Sequence, residues 1–132
     1  MTTAVDTEIY FESGLPGFNE AHRFALVRIG GEDSLFSMLR STDDAGLEFV
    51  VVPPELFFPD YVPEIDDDMA ARIGLDSADD ALLLVIVTIT DPLGDSTANL
   101  LGPVVVNQRT RQAIQAILDP ATYSTREALL PA

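Results

Sequence analysis

Residues 82–90 read LLLVIVTIT, nine residues dominated by branched aliphatic side chains, and this stretch decides the fold class. Branched side chains favour the extended backbone of a β-strand. At roughly 3.3 Å per residue, such a strand spans about 30 Å. The longest apolar run, ALLLVIV at 81–87, is far shorter than the roughly 20 residues that a membrane-spanning helix needs. The stretch therefore predicts a central strand and no membrane span.

Further strands are predicted on both sides of this stretch, because short runs rich in Val, Ile, Leu and Phe are separated by turn residues. Residues 111–118 fit either a helix or a strand, since their apolar side chains recur at both spacings. A chain of this length needs one core, and no repeat or linker divides it. We therefore expect residues 1–132 to form a single β-rich domain, with strands at 8–12, 23–29, 34–40, 47–52, 82–90, 97–102 and 103–108.

The stretch GLPGF at residues 14–18 predicts a corner between the first two strands. Pro16 and Gly17 suit the central positions of a type II turn, because proline fixes φ near about −65° and glycine accepts the positive φ that follows. The stretch offers no charge or hydroxyl for ligand chemistry, so its role is predicted to be structural.

The chain is strongly acidic, and this limits its partners. It carries 22 Asp and Glu against seven basic residues, all of them arginine, for a formal charge of −15. Nucleic-acid binding needs cations that displace counterions from phosphates, so direct contact with DNA or RNA is not expected. A basic protein is the partner that the charge favours, since opposite fields speed encounter. The alternative is that the acidity only keeps the protein in solution.

Residues 53–81 form an irregular, acidic middle segment that holds four of the nine prolines. Residues 64–74 predict a short helix ending at Gly74, because acidic residues favour the first turn and glycine favours the C-terminal cap. Residues 76–81 predict a turn or a single helical turn. The densest charge run, Asp66 to Asp68, is interpreted either as a surface for a partner's arginines and lysines or as a solvated loop. It lacks the spacing of a calcium loop, so no metal or cofactor is predicted.

Several types of catalytic site are not supported. The absence of cysteine removes disulfides and thiolate chemistry, which fits a reducing compartment, and no signal peptide is visible, so a cytoplasmic location is expected. His22 is the only histidine and no serine has a nucleophile-elbow context. An acidic hydrolase acting through a carboxylate pair stays open as a hypothesis, because 22 acidic side chains always offer pairs.

Motifs along nearly the whole chain resemble the flagellar assembly factor FliW family. The family usually has Phe-Pro-Glu-Gly before its Leu-Pro-Gly-Phe motif, whereas this chain has FESG at 11–14. Pro53 stands where an aspartate or asparagine is common, and Glu55 where the family is often apolar. The matching motifs are GLPGF at 14–18, FVVVPPELFFPDY at 49–61, NLLGPVVVN at 99–107, the spacing of Asn107, Arg111 and Gln115, and YSTR at 123–126.

The resemblance implies a mainly β fold, a small antiparallel β-barrel-like domain with one or two short helices, and no catalysis. It also implies two protein partners, flagellin and the translational repressor CsrA, which is a small basic-faced dimer. In this scheme, export of flagellin frees the protein, which takes CsrA off its messenger RNA by an allosteric, non-competitive route, and flagellin synthesis resumes. The departures at Glu12 and Pro53 keep a second possibility open, a dedicated flagellin chaperone without CsrA control.

The candidate partner-binding residues combine aromatic anchors with an acidic rim, as protein interfaces do. Phe57 is expected to point into the core more than its aromatic neighbours do. The two asparagines either satisfy backbone groups at strand ends or face a partner. Arg111 and Arg126 are expected to pair with local carboxylates. The candidates are Phe58, Asp60, Tyr61, Glu64, Asp66, Asp67, Asp68, Asn99 and Asn107.

Overall fold

The computed structural model of the protein describes residues 7–12, 22–28, 36–42, 46–63, 65–89 and 95–129. These residues form nine strands, one α-helix and two short 3-10 turns. The helix, α1, is Asp67–Arg72, and the 3-10 turns are Pro54–Leu56 and Ala78–Asp80. The strands are β1 (Thr7–Phe11), β2 (Arg23–Arg28), β3 (Ser37–Ser41), β4 (Glu48–Val52), β5 (Ala81–Thr88), β6 (Thr97–Ala98), β7 (Val104–Asn107), β8 (Gln112–Gln115) and β9 (Glu127–Ala128).

Seven of the strands close into a barrel in the order β4-β3-β2-β1-β8-β7-β5, because β5 pairs with β4 as well as with β7. β6 also pairs with β5, and β9 pairs with β6, so these two strands extend the sheet outside the ring. The β-barrel-like fold expected from the sequence is confirmed. One described pairing departs from the antiparallel expectation: β1 and β8 run parallel, with Phe11 opposite Ala113.

The stretch that predicts a central strand forms β5, and the pairing of β5 explains why it is apolar throughout. Where β5 pairs with β4, Val51 lies opposite Ile86, and both pack in the core inside the barrel. The next pair, Val52 and Val85, belongs to a different core on the outer side of the sheet. Apolar and polar residues alternate along a strand when one face meets water, so a strand that is buried on both faces is apolar throughout. The continuous aliphatic run therefore reflects two covered faces.

The structure has two apolar cores, whereas the length of the chain predicts one. Fully burying one large aliphatic side chain contributes roughly 1.5–3 kcal/mol, so both cores matter to stability. The outer core is covered by aromatic side chains from residues 57–61 and by Tyr123. The inner core contains Ile9, Phe11, Phe24, Leu39, Val51, Leu84, Val104, Val106 and Ala113, and the outer core Val52, Val85, Val87, Ala98, Leu100 and Leu129.

Other predicted elements are confirmed or refined. The helix predicted to end at Gly74 is α1, and Gly74 follows it with a φ of +65°. The ambiguous stretch at 111–118 contains a strand, β8. The strands predicted at 97–102 and 103–108 are shorter than expected. The GLPGF corner at 14–18 lies outside the described residues. Among the helices of the described ranges, none has the length and apolar character to cross a membrane.

Candidate partner-binding surface

The first turn of α1 carries the densest charge of the chain, and the charge has a local structural cause. The Asp66 side chain accepts a hydrogen bond from the Met69 backbone N–H at 2.8 Å and so caps the helix. Asp67 and Asp68 follow in the first turn, where carboxylates interact favourably with the helix dipole. All three side chains are exposed. The same residues therefore start the helix and present three carboxylates to solvent, one of which, that of Asp68, also pairs with Arg72 at 3.1 Å.

α1 is held at its ends, since none of its own residues is buried. Six residues are too few for a helix to be stable alone. At its C-terminal end, the buried Asn107 side chain donates hydrogen bonds to the carbonyl oxygens of Ile73 and Gly74, at 2.9 and 3.0 Å. Thr110 donates a further, longer one to Ile73. Asn107 thereby fixes the helix to the end of β7.

The turn between β7 and β8 also organises the acidic side chains that follow α1. The Arg109 guanidinium contacts the carboxylate of Asp76 at 2.8 Å and that of Asp80 at 3.8 Å. Pairs as exposed as these contribute about 0–1 kcal/mol each, so they orient the segment more than they stabilise it. Arg111 and Arg126 were expected to make such pairs; among the described residues, neither forms an ion pair, and Arg109 does instead.

The aromatic segment after β4 packs onto the outer core. Phe57 and Phe58 are half-buried against it, and Phe57 lies 6.3 Å from Phe36 between ring centroids. Tyr61 donates its hydroxyl to the Leu100 carbonyl oxygen at 2.7 Å, and its ring meets Tyr123 edge to face at 5.3 Å. Burial raises the pKa of the Tyr61 hydroxyl above its usual range, and the neighbouring Tyr123 hydroxyl raises it further. Tyr61 therefore stays protonated and anchors the segment.

The two candidate asparagines serve the backbone. The Asn99 side-chain oxygen accepts hydrogen bonds from the N–H groups of Leu101 and Gly102, at 3.1 and 2.9 Å. Asn107 is completely buried, and its side-chain oxygen accepts from the Arg109 N–H at 3.0 Å. Both asparagines make the backbone hydrogen bonds of the first alternative, and a partner contact at Asn99 stays a prediction. Any contribution of Asn107 to a partner surface is therefore indirect, through the elements that it fixes.

Apart from the two asparagines, the predicted residues that the structure describes divide into two groups. Asp60 and the three aspartates of α1 are exposed, whereas Phe58 and Tyr61 are half-buried on the outer core. Glu64 lies outside the described residues. Sequence reasoning did not single out Arg109 or Tyr123 individually, and their partners, Asp76 and Tyr61, lie 33 and 62 positions away in the chain. Only the fold brings these pairs together.

Within the described ranges, no group of three or more acidic or histidine side chains is arranged to hold a metal ion.

These features define a class of protein: a small closed β-barrel with an outer aromatic-covered core, one short helix and an acidic surface. A family model described as FliW protein matches residues 1–129. The flagellar assembly factor FliW of Bacillus subtilis is 37% identical over 121 residues, which cover 92% of this chain and 84% of that protein. That of Geobacillus kaustophilus is 39% identical over 123 residues, covering 93% and 84%.

A solved structure agrees with these relatives. A crystal structure of the flagellar assembly factor FliW superposes with a TM-score of 0.89 at 32% identity, covering 98% of this chain and 99% of that one. The chain belongs to the FliW family of flagellar assembly factors. An assembly factor has a regulatory or chaperone-like role, which points away from an enzyme.

Proposed function

We propose that the protein is a non-enzymatic cytoplasmic regulator that binds flagellin and, when free of flagellin, binds CsrA and antagonises its RNA binding. The observation that carries this proposal is the match of residues 1–129 to the FliW family. Resemblance to that family implies these two partners. The formal charge of −15 supports a basic-faced partner, since complementary fields speed encounter. The carboxylate-pair hydrolase gains no support from the family.

The exposed carboxylates of α1 suggest how binding would act on RNA. A strongly acidic protein docked on an RNA-binding protein repels incoming phosphates. Two like charges about 7 Å apart in water interact by about 0.6 kcal/mol, and salt screens them beyond roughly 8 Å. One carboxylate is therefore too weak to matter, whereas several close together add up. The first turn of α1 provides three adjacent ones, Asp66, Asp67 and Asp68.

A capture experiment tests the proposal. Immobilised protein is expected to retain purified CsrA at low salt, and added flagellin is expected to release it. Capture of flagellin without CsrA would instead favour the dedicated chaperone. Failure to bind either partner would overturn the proposed function.

A charge variant tests the location of the CsrA-facing surface. Replacing Asp66, Asp67 and Asp68 by asparagine should slow CsrA association by roughly threefold to tenfold at low salt and flatten its salt dependence. The fold should be kept, because asparagine caps a helix as well as aspartate does. Stopped-flow association rates over a range of NaCl concentrations measure both effects.

The matched control removes three charges elsewhere. Glu8, Glu12 and Glu127 are exposed and lie outside the acidic segment, so replacing them by glutamine gives the same net charge as the aspartate variant. The control should associate with CsrA nearly as fast as the unchanged protein. Equal slowing by both variants would mean that only overall charge matters, and the location of the surface would be wrong.

A further inference from the structure

Two aliphatic side chains are unusually exposed. Val62 is 78% exposed and Ile117 is 65% exposed, the two highest values among the large hydrophobic residues that the structure describes. Single exposed aliphatic residues are common on protein surfaces and need no explanation. The question is therefore whether these two belong to one patch, since a shared patch points to an interaction.

Two hydrogen bonds and a ring contact hold the chain segments that carry these two residues next to each other. Tyr61, next to Val62, donates its hydroxyl to the Leu100 carbonyl oxygen at 2.7 Å. The Leu118 N–H, next to Ile117, donates to the adjacent Leu101 carbonyl oxygen at 2.8 Å. The Tyr61 and Tyr123 rings, 5.3 Å apart, join the same two segments a second time. We call Val62, Ile117, Tyr61 and Tyr123 the tyrosine patch.

The backbone that presents the tyrosine patch is held in place. Val62 lies between Pro59 and Pro63, in a loop fixed by backbone hydrogen bonds from Phe58 to Pro54 at 2.7 Å and from Tyr61 to Phe58 at 2.9 Å. Ile117 lies between two residues whose N–H groups bond to Pro103 and Leu101. A preorganised apolar surface loses little conformational entropy on binding, which favours affinity.

The charge around the tyrosine patch identifies the kind of partner. The segments 57–63, 99–103 and 116–123, which form the patch and support it, contain no basic residue, and Arg126 follows three residues after Tyr123. They contain two acidic ones, Asp60 and Asp119, and both are exposed. An apolar centre with an acidic edge complements a protein surface that has an apolar pocket rimmed by arginine or lysine.

We propose that the tyrosine patch is the apolar anchor of the interface with a basic protein partner, with Val62 and Ile117 inserted into an apolar pocket of that partner. This rests on the proposed function, in which the basic partner is CsrA. The carboxylates of α1 then govern the rate of encounter, and the tyrosine patch governs how long the complex lasts. Apolar anchors near the centre of an interface carry most of its affinity.

Serine substitutions test the assignment. Val62→Ser and Ile117→Ser should each weaken CsrA binding about tenfold, mostly through faster dissociation, and the double variant should weaken it more. The salt dependence of association should stay unchanged, because no charge is removed. Ile89→Ser is the matched control: Ile89 is 44% exposed just after β5, outside the patch, and should bind within about twofold of the unchanged protein. Binding is measured by surface plasmon resonance with purified CsrA, and folding by circular dichroism.

The outcomes separate the assignment from the function on which it rests. If the unchanged protein binds CsrA and the double variant binds equally well, the assignment is wrong and the proposed function stands. If the double variant loses flagellin binding and keeps CsrA binding, the patch serves the other partner and the assignment is also wrong. If the unchanged protein does not bind CsrA, the CsrA part of the proposed function and the assignment both fail.

Discussion

Asn107 and Asn99 are the same residue type in different hydrogen-bonding roles, because the Asn107 side chain both donates and accepts, whereas among the described residues the Asn99 side chain only accepts. The Asn107 side chain donates to the carbonyl oxygens of Ile73 and Gly74, and it does so in a buried position. The Asn99 side chain accepts, through its oxygen, from two backbone N–H groups. An aspartate keeps the accepting oxygen and loses the donor. One substitution therefore distinguishes the two roles.

We expect Asn107→Asp to destabilise the protein by about 3 kcal/mol, because it places a buried carboxylate against two carbonyl oxygens. Asn99→Asp should change stability by no more than about 0.5 kcal/mol, since both accepted hydrogen bonds remain. Urea unfolding at pH 7 measures both free energies. Similar losses for the two variants would contradict the assignment of donor and acceptor.

At the scale of the element, α1 depends on its caps. None of its six residues is fully buried, so Asp66 at the start and Asn107 at the end provide much of what holds it in place. A helix maintained this way opens locally when a cap is removed. α1 carries the carboxylates of the proposed CsrA-facing surface, so these carboxylates keep their positions only while the helix is folded.

We expect Asp66→Ala to destabilise α1 by about 1 kcal/mol, whereas Asp66→Asn, which keeps the capping oxygen, should cost only a few tenths. Faster hydrogen exchange at the Met69 and Ala70 amides, measured by NMR, would report the opening. Both variants remove one negative charge, so the difference between them isolates the cap. Equal exchange rates in the two variants would rule out capping by Asp66.

The sequence predicted elements well where local signals were strong. The aliphatic run at 82–90 identified β5. The acidic residues before a helix that ends at Gly74 identified α1. It failed to choose between helix and strand at 111–118, because β8 is a strand through its pairing with β1 and β7, which are distant in sequence. The two-residue strands β6 and β9 exist only through long-range pairing and leave no periodic signal.

At the scale of the whole molecule, the division of apolar residues between two cores could not be predicted. Val51 and Val52 are adjacent, similar and both fully buried, yet they belong to different cores because strand alternation sends them to opposite faces. Residue type alone does not reveal this. The candidate site shows the same limit: the exposed carboxylates were predicted from charge, whereas the tyrosine patch depends on contacts between segments far apart in the chain.

The net charge predicts how stability responds to salt. With a formal charge of −15 and only exposed or half-buried ion pairs among the described residues, screening relieves more repulsion than attraction. Raising NaCl from about 10 to about 150 mM shortens the Debye length from roughly 30 to 8 Å and should stabilise the protein on the order of 1 kcal/mol. Thermal unfolding at pH 7 measures the gain. The variant with asparagine at 66, 67 and 68 should gain less, and a loss of stability with salt would contradict the prediction.

The parallel pairing of β1 with β8 sets the order in which the barrel forms during translation. Phe11 lies opposite Ala113, about 100 residues further along the chain, so the ring stays open until the ribosome has released residues beyond β8. Until then the growing sheet has a free edge at β1, the kind of surface through which unfinished chains associate with one another. A chain that ends before residue 115 therefore keeps this edge of the sheet unpaired, and Tyr123, the last residue of the tyrosine patch, is synthesised only after the strand that closes the barrel.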